Sequence, residues 1–389
     1  MARDGDRKSL STRLIHAPKQ SADAFASMTV PTVRGSTVKF ASLDELDHAT
    51  PGQYRYGLHG TPTHRDLAHR LAEIEGADHV ELAPSGLAAI TLVLLTFAKA
   101  GAHILLPTCS YGPTIDLAMA KLADLGVETE LYDPMIGHGI AALIRDETVL
   151  VWTECPGSIT MEIQDVPAIA AAAKARGVTV AMDNTYGAGV LFDAFAAGCD
   201  LSVQALTKYQ GGHSDLLMGS VATRDKAIGR RLRQTARLLG LNVSPDDCAL
   251  VLRSLKTFDL RLRTLGDNAL TVAGWLADRP EVTAMLHPAF PDCPGHDSWK
   301  RDWTGAASLF SIVLGNFTRE QVVTFVEALK LFDIGYSWGG ANSLAITYRD
   351  LDRPNAEIGP KIVRLNIGLE DPADLIADLD QALAQASSR

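Results

Sequence analysis

Cysteine is scarce in this chain. Five are spread through 389 residues, as Cys109, Cys155, Cys199, Cys248 and Cys293, and no two form a CxxC pair. An odd, dispersed set in a long chain does not make a disulfide scaffold, and a reduced cytoplasmic setting is the expectation. Positive charge is also in short supply: 36 Lys and Arg stand against 46 Asp and Glu, for a formal net charge of −10. That balance gives no electrostatic basis for binding nucleic acid or an anionic membrane surface, so neither is expected as a partner. Long apolar runs are missing. The longest, Leu87 to Ala98, stops at Lys99 after about twelve residues, where a membrane span needs about twenty. It reads as a buried helix. The opening MARDGDRKSLSTRL is charged and has no apolar stretch, so a secretory signal is not expected. Internal repeats and low-complexity segments are absent as well.

What is present is apolar content, 47%, in a length that exceeds one small domain. Two domains with extensions are expected. Residues 1–60 show little periodicity and much punctuation (Pro18, Pro31, Gly35, Pro51, Gly52), and read as an extended arm that lies on a neighbouring subunit. From 61 to 255 strand-like and helix-like segments alternate. Thr63, with Asp66 three residues on, reads as a capped helix start that Gly76 closes. Then follow His79–Ala83 (strand), Leu87–Lys99 (helix), His103–Pro107 (strand), Thr114–Leu125 (helix), Thr148–Thr153 (strand), Val166–Arg176 (helix), Val178–Met182 (strand) and Leu201–Ala205 (strand). Runs such as TVLVWT and VTVAM do not alternate in polarity, as in strands buried on both faces of a parallel sheet. The βαβα rhythm predicts an α/β domain, with ligands at the carboxyl ends of its strands. A helical tract over 225–274 leads to a smaller α+β domain, 256–389, with strands at Ser308–Leu314 and Ile362–Ile367 and helices at Arg319–Leu329 and Asp371–Ala384.

Four features carry chemistry. Pro84-Ser85-Gly86-Leu87 joins a strand to an apolar helix, and free N–H groups at such a helix start bind phosphate; the ordinary alternative is a Ser85 cap. Asp183, just after a strand, can hold a pyridinium N–H, or merely cap a turn. Lys208 follows a strand and precedes Gly211-Gly212; lysine forms Schiff bases with aldehydes, although most lysines are solvated. Arg364 lies in an apolar strand and needs a partner, either an internal carboxylate or that of a substrate.

Taken in this order, these features sit in segments that resemble the pyridoxal 5'-phosphate (PLP)-dependent Cys/Met metabolism family, and within it the cystathionine β-lyase branch. The resemblance runs from about Tyr54 to Leu379 and is dense in YRYGLHGTPTHRDL, ECPGSITMEIQDVPAI, MDNTYGAGVLF, ALTKYQGGHSD, YSWGGANSL and VRLNIGLEDPADLIADLD. It implies PLP fold type I, a large domain with a mainly parallel sheet plus a smaller C-terminal α+β domain. It also implies a homotetramer built as a dimer of dimers with shared sites.

By the same resemblance, Lys208 would carry the cofactor covalently and act as the base, with Asp183 behind the pyridine nitrogen. The amides of Gly86 and Leu87 and the hydroxyl of Thr207 would hold the phosphate, and Tyr111 would stack on the ring. Tyr56 would reach the adjacent subunit's site. Arg364 would grip the substrate carboxylate, and Ser337 and Trp338 would line the substrate side. The implied reaction is β-elimination of L-cystathionine to homocysteine, pyruvate and ammonia, with cystine and other cysteine S-conjugates as further sulfur amino-acid substrates. The same residues also suit cystathionine γ-lyase, γ-synthase, methionine γ-lyase or sulfhydrylase chemistry, or a PLP-binding regulator.

Two positions depart from the family pattern. An arginine common two residues after the tyrosine is Leu58 here, followed by His59, and a serine common two before Thr207 is Ala205. The resemblance implies that Leu58 puts a cross-subunit phosphate contact in doubt, with His59 as a partial replacement, and that Ala205 costs the phosphate site one hydroxyl. His287, Cys293 and His296 match no zinc spacing, nor do His59, His64 and His69, so no metal is expected.

Overall fold

The computed structural model describes residues 8–16, 27–50, 52–348, 351 and 356–388. Parts of the expected arm, including Pro18 and Pro51, lie outside the described residues. Its described parts hold two short helices, α1 (Leu10–His16) and α2 (Leu43–Asp47). Leu14 of α1 is buried in the chain's main core, so this stretch of the arm is helical and packs on its own chain.

Helix α3 (Pro62–Glu75) starts one turn-position earlier than the sequence suggests. Thr61, not Thr63, forms the capping box, with His64 as its reciprocal partner and Pro62 in the first turn. Proline fits there because its missing N–H would have no helical partner anyway. Thr63 instead donates its hydroxyl to Pro31 O. Gly76 closes the helix at φ +66, where a side chain would be strained.

The large sheet follows, with its crossing helices: β1 (His79–Ala83), α4 (Gly86–Phe97), β2 (His103–Pro107), α5 (Gly112–Asp116), β3 (Glu128–Tyr132), β4 (Thr148–Glu154), α6 (Val166–Ala175), β5 (Thr179–Asp183), β6 (Leu201–Gln204) and β7 (Gly219–Thr223). The strand order is β1-β7-β6-β5-β4-β2-β3. Strands β3, β2, β4, β5 and β6 run parallel, and β7 alone opposes its neighbours. Successive residues fall into different cores. Ile104, Leu106, Leu150 and Trp152 face one cluster, Leu105 and Val151 the other. The sheet is thus covered on both faces, which explains the unbroken apolar runs. The α4 helix, apolar almost all round, is buried beneath it.

The predicted helical tract is three helices: α7 (Lys226–Leu238), α8 (Pro245–Leu255) and α9 (Phe258–Ala277). Gly240 at φ +65 ends the first, and Ser244 with Pro245 starts the second. Helix α9 serves both cores: Phe258, Leu262 and Leu265 lie in the first, Ala269, Val272 and Leu276 in that of the second sheet.

That smaller sheet is β8 (Ala284–Leu286), β9 (Leu309–Val313), β10 (Asp333–Ile334), β11 (Leu344–Thr347) and β12 (Ile362–Asn366), in the order β10-β11-β12-β9-β8. With it run α10 (His296–Asp302), α11 (Arg319–Ala328) and α12 (Pro372–Ser387). Arg364 faces Ser311 and Ile346 across this sheet. An α/β fold with a mainly parallel large sheet and a smaller second sheet is the architecture the sequence implied. All five cysteines are free and buried. Among the described residues no helix is long and apolar enough to cross a membrane, and no His, Cys, Asp and Glu cluster could hold a metal.

Candidate active site

The carboxyl ends of β1, β4, β5 and β6 open into one cavity of about 300 Å³. Its wall includes Gly86, Leu87, Tyr111, Asp183, Thr207, Lys208, Ser337, Trp338 and Arg364. Nine residues named from the sequence therefore meet in one place. Tyr56 does not. It is half exposed, lies beside Thr37 in an isolated bridge, and takes no part in this chain's own cavity.

Each side chain is set by its local fold. Gly86 and Leu87 begin α4, and their N–H groups are among the first four, which a helix cannot satisfy internally. The Ser85 hydroxyl caps Ala88 N–H, so the ordinary cap and the free amides coexist. A β-carbon on Gly86 would lie 2.6 Å from that of Ala205, so glycine is required where α4 meets the end of β6. Thr207 is committed elsewhere in this state: its hydroxyl donates to Met218 O at 3.2 Å and accepts Met218 N–H at 3.0 Å.

Asp183 Oδ1 accepts the hydroxyl of Thr185 at 2.5 Å and its N–H at 3.0 Å. Burial pushes the Asp183 carboxyl above its ordinary range, and the Thr185 bonds and the Lys208 charge oppose that rise. Burial, and after it the positive Arg364, lower the Lys208 amine to about 8, with Asp183 pulling the other way. The amine donates to Ser337 Oγ at 2.6 Å and lies 5.3 Å from the ring centre of Trp338. Ser337 holds this place with a left-handed backbone, φ +84, a strained conformation for serine. Trp338 is fixed by Tyr209, ring centres 5.4 Å apart.

Arg364 answers one question the sequence left open. Among the described residues no carboxylate pairs with it; its guanidinium donates to Ser337 O at 3.3 Å and lies 5.9 Å from the ring of Tyr348. A largely buried cation facing a cavity without an acid suits an incoming carboxylate.

The sequence reading assigned no role to Glu154, Thr185, Met161 or Tyr336, which also line the cavity. Glu154 was findable. It ends the buried strand β4, in register with Asp183 on β5, so the reasoning that singled out one carboxylate applies to both.

The profile of the Cys/Met metabolism PLP-dependent enzymes matches residues 11–384. This chain belongs to that family. The cystathionine beta-lyase of Bordetella avium is 42% identical over 99% of this chain and 100% of its own. The cystathionine beta-lyase MetC of Escherichia coli strain K12 is 39% identical over 97% and 99%. The family also spans other names: an L-alanine/L-glutamate racemase of Wolbachia pipientis wMel is 36% identical over 96% of both chains. A crystal structure of cystathionine gamma synthase from Xanthomonas oryzae pv. oryzae, in complex with aminoacrylate and cysteine, superposes with a TM-score of 0.91 at 30% identity, covering 98% of this chain and 99% of that one.

The family's cofactor is PLP, and the cavity fits it. A neutralisable lysine amine, a buried carboxylate, two unsatisfied helix amides and the Tyr111 ring stand around one space. The two departures are also visible. Leu58 and His59 line a different cavity, of about 680 Å³, together with Arg55 and Arg237. Burial first, then Arg237 and Arg55, lower the His59 pKa. Ala205 contributes a methyl packed on Gly86 and no hydroxyl.

Proposed function

We propose that this enzyme is a carbon–sulfur lyase that converts L-cystathionine and water to homocysteine, pyruvate and ammonia by β-elimination. The observation that carries the reading is the convergence of the Lys208 amine, the Asp183 carboxyl and the Arg364 guanidinium on one cavity at the carboxyl edge of the large sheet. When bound, PLP supplies the electron sink for a carbanion at the substrate α-carbon.

The chain's residues do the rest. Lys208 tethers the cofactor, and the N–H groups of Gly86 and Leu87 hold its phosphate. Thr207 joins them once its hydroxyl turns from Met218 O, which the Thr207 N–H still satisfies at 3.2 Å. Asp183 keeps the pyridine nitrogen protonated, and Tyr111 covers the ring. Arg364 fixes the substrate α-carboxylate. The freed Lys208 amine takes the α-proton, as an amine with a pKa lowered to about 8 can near neutrality. Ser337 holds that amine in place, and Trp338 bounds the space beside the departing sulfur.

Cystine and other cysteine S-conjugates satisfy the same contacts. In the same reading, residues 61–255 form the cofactor domain and 256–389 the smaller domain. Four copies assemble in the cytoplasm, and Tyr56 of each completes a neighbour's site.

Product analysis tests the reaction. With L-cystathionine the expected products are pyruvate and homocysteine. 2-Oxobutyrate and cysteine would show γ-elimination, and an enzyme that leaves L-cystathionine intact but converts supplied L-alanine to D-alanine would point to the racemase branch.

A further inference from the structure

The loop that carries Tyr111 is tied down ahead of that residue: Thr108 N–H donates to Tyr132 O at 2.9 Å, and Cys109 O accepts Ser158 N–H at 2.8 Å. Tyr111 stands between Ser110 and the short helix α5 and is 45% exposed, so packing leaves much of the residue uncovered. Its carbonyl accepts the N–H of Thr114 at 2.8 Å, an ordinary start to α5. Gly112 has nothing within 4 Å of where a side chain would be, so the chain beyond Tyr111 is not wedged. At Tyr111 itself the tie to the sheet is a carboxylate: its N–H donates to Glu154 Oε2 at 2.7 Å.

Glu154 is itself firmly placed. It is the last residue of β4 and is 8% exposed. Its carbonyl accepts Gln164 Nε2 at 2.6 Å, while Gln164 Oε1 accepts the buried Tyr132 hydroxyl at 3.0 Å. The same Tyr132 hydroxyl lies 2.7 Å from Trp152 O, one residue pair back along β4. This polar set joins three chain segments at the end of β4, and the Glu154 carboxylate accepts the Tyr111 N–H from there. The negative charges of Glu154 and Asp183 also raise the Tyr111 phenol pKa, after burial and against the pull of Arg364.

We propose that Glu154 is a positioning residue: its carboxylate pins the Tyr111 main chain so that the phenol ring is held over the cavity that receives the cofactor. The proposal rests on the reading of Tyr111 as the ring that covers the cofactor. A short charge-assisted bond to a strand end is a rigid hook, and displacement of a reacting partner by about 1 Å can cost a hundredfold in rate.

The test uses the full-length enzyme with Glu154→Ala, Glu154→Gln, Tyr111→Ala and the Glu154→Ala/Tyr111→Ala double variant. Hydrogen exchange at the Tyr111 amide, measured with and without PLP, reads the hook directly. We expect exchange at least about tenfold faster in Glu154→Ala while the amides of β4 stay protected, and near-normal protection in Glu154→Gln, whose amide oxygen still accepts. We expect Glu154→Ala to lower kcat/KM by about 10- to 100-fold, Glu154→Gln by less than about fivefold, and Glu154→Ala to add less than about threefold to Tyr111→Ala. Unchanged exchange at Tyr111, or losses that multiply in the double variant, would overturn the proposal. If exchange responds as expected but Tyr111→Ala turns over normally, the proposal fails through the reading of Tyr111 and not through Glu154.

Discussion

In the proposed reaction the Lys208 amine can serve as a base only because of where it sits. Burial and the neighbouring Arg364 favour its neutral form, so the neutral fraction grows as pH rises through about 8, against 10.5 for a free lysine. Covalent uptake of PLP by the cofactor-free protein needs the neutral amine. Its rate, followed by absorbance, is expected to climb with pH and level off at about pH 8 to 9. A rate still climbing at pH 10 would mean an ordinary solvated lysine. Arg364 makes a separate prediction. Arg364→Ala should raise KM about 10- to 100-fold, the range expected for a lost charged hydrogen bond, and change the PLP dissociation constant by less than about threefold. Equal damage to both would remove its carboxylate role. Most of these residues were legible in the sequence because their chemistry sits at strand ends. Ser337 was named through resemblance alone, since nothing in composition marks a serine at φ +84.

Elements show where local pattern runs out. Strands β1 and β2 fall on the predicted residues because their ends are marked by turn residues and they are rich in apolar residues, fully so inside β2. Strand β3 was missed: ETELY carries two glutamates and lies at the sheet edge, with only Tyr132 buried. Strand β7, GSVAT, is fully buried but built of small residues, so no apolar run announces it. The break between α7 and α8 was written in Gly240 and Pro245 and overridden by the apolar periodicity on either side.

Helix α3 ends on a buried carboxyl that yields a stability prediction. Glu75 accepts the Ser202 hydroxyl on β6, and burial raises its carboxyl to about 7 from 4.5. The folded protein therefore binds more protons than the unfolded chain between these two values. Stability tied to protonated Glu75 is complete below about pH 4.5 and is lost as pH rises through about 7. Glu75→Gln keeps an acceptor for Ser202 and removes the charge. It should stabilise the protein by about 2 kcal/mol more at pH 8 than at pH 5. Denaturation at the two pH values checks this, and an equal effect at both would show that Glu75 is charged without penalty.

At the scale of the whole molecule, Tyr56 is the residue out of place, half exposed and absent from its own chain's cavity. If it serves a neighbour, as proposed, each site draws on two chains. Co-expressed Tyr56→Phe and Lys208→Ala subunits should then form hybrids with some intact sites, and turnover should exceed that of either variant alone by about tenfold or more. Hybrids no more active than Tyr56→Phe alone would place each site within one subunit. The two sheets were readable as α/β followed by α+β, but their joint core along α9 was not, because one helix serves two packing partners in succession. The account as a whole stands on a single covalent link. The most direct measurement is borohydride reduction of the PLP-loaded enzyme followed by peptide mapping. The predicted result is one labelled peptide, carrying Lys208, and no label in Lys208→Ala. A label on any other lysine, or an unaltered label in that variant, would contradict the account.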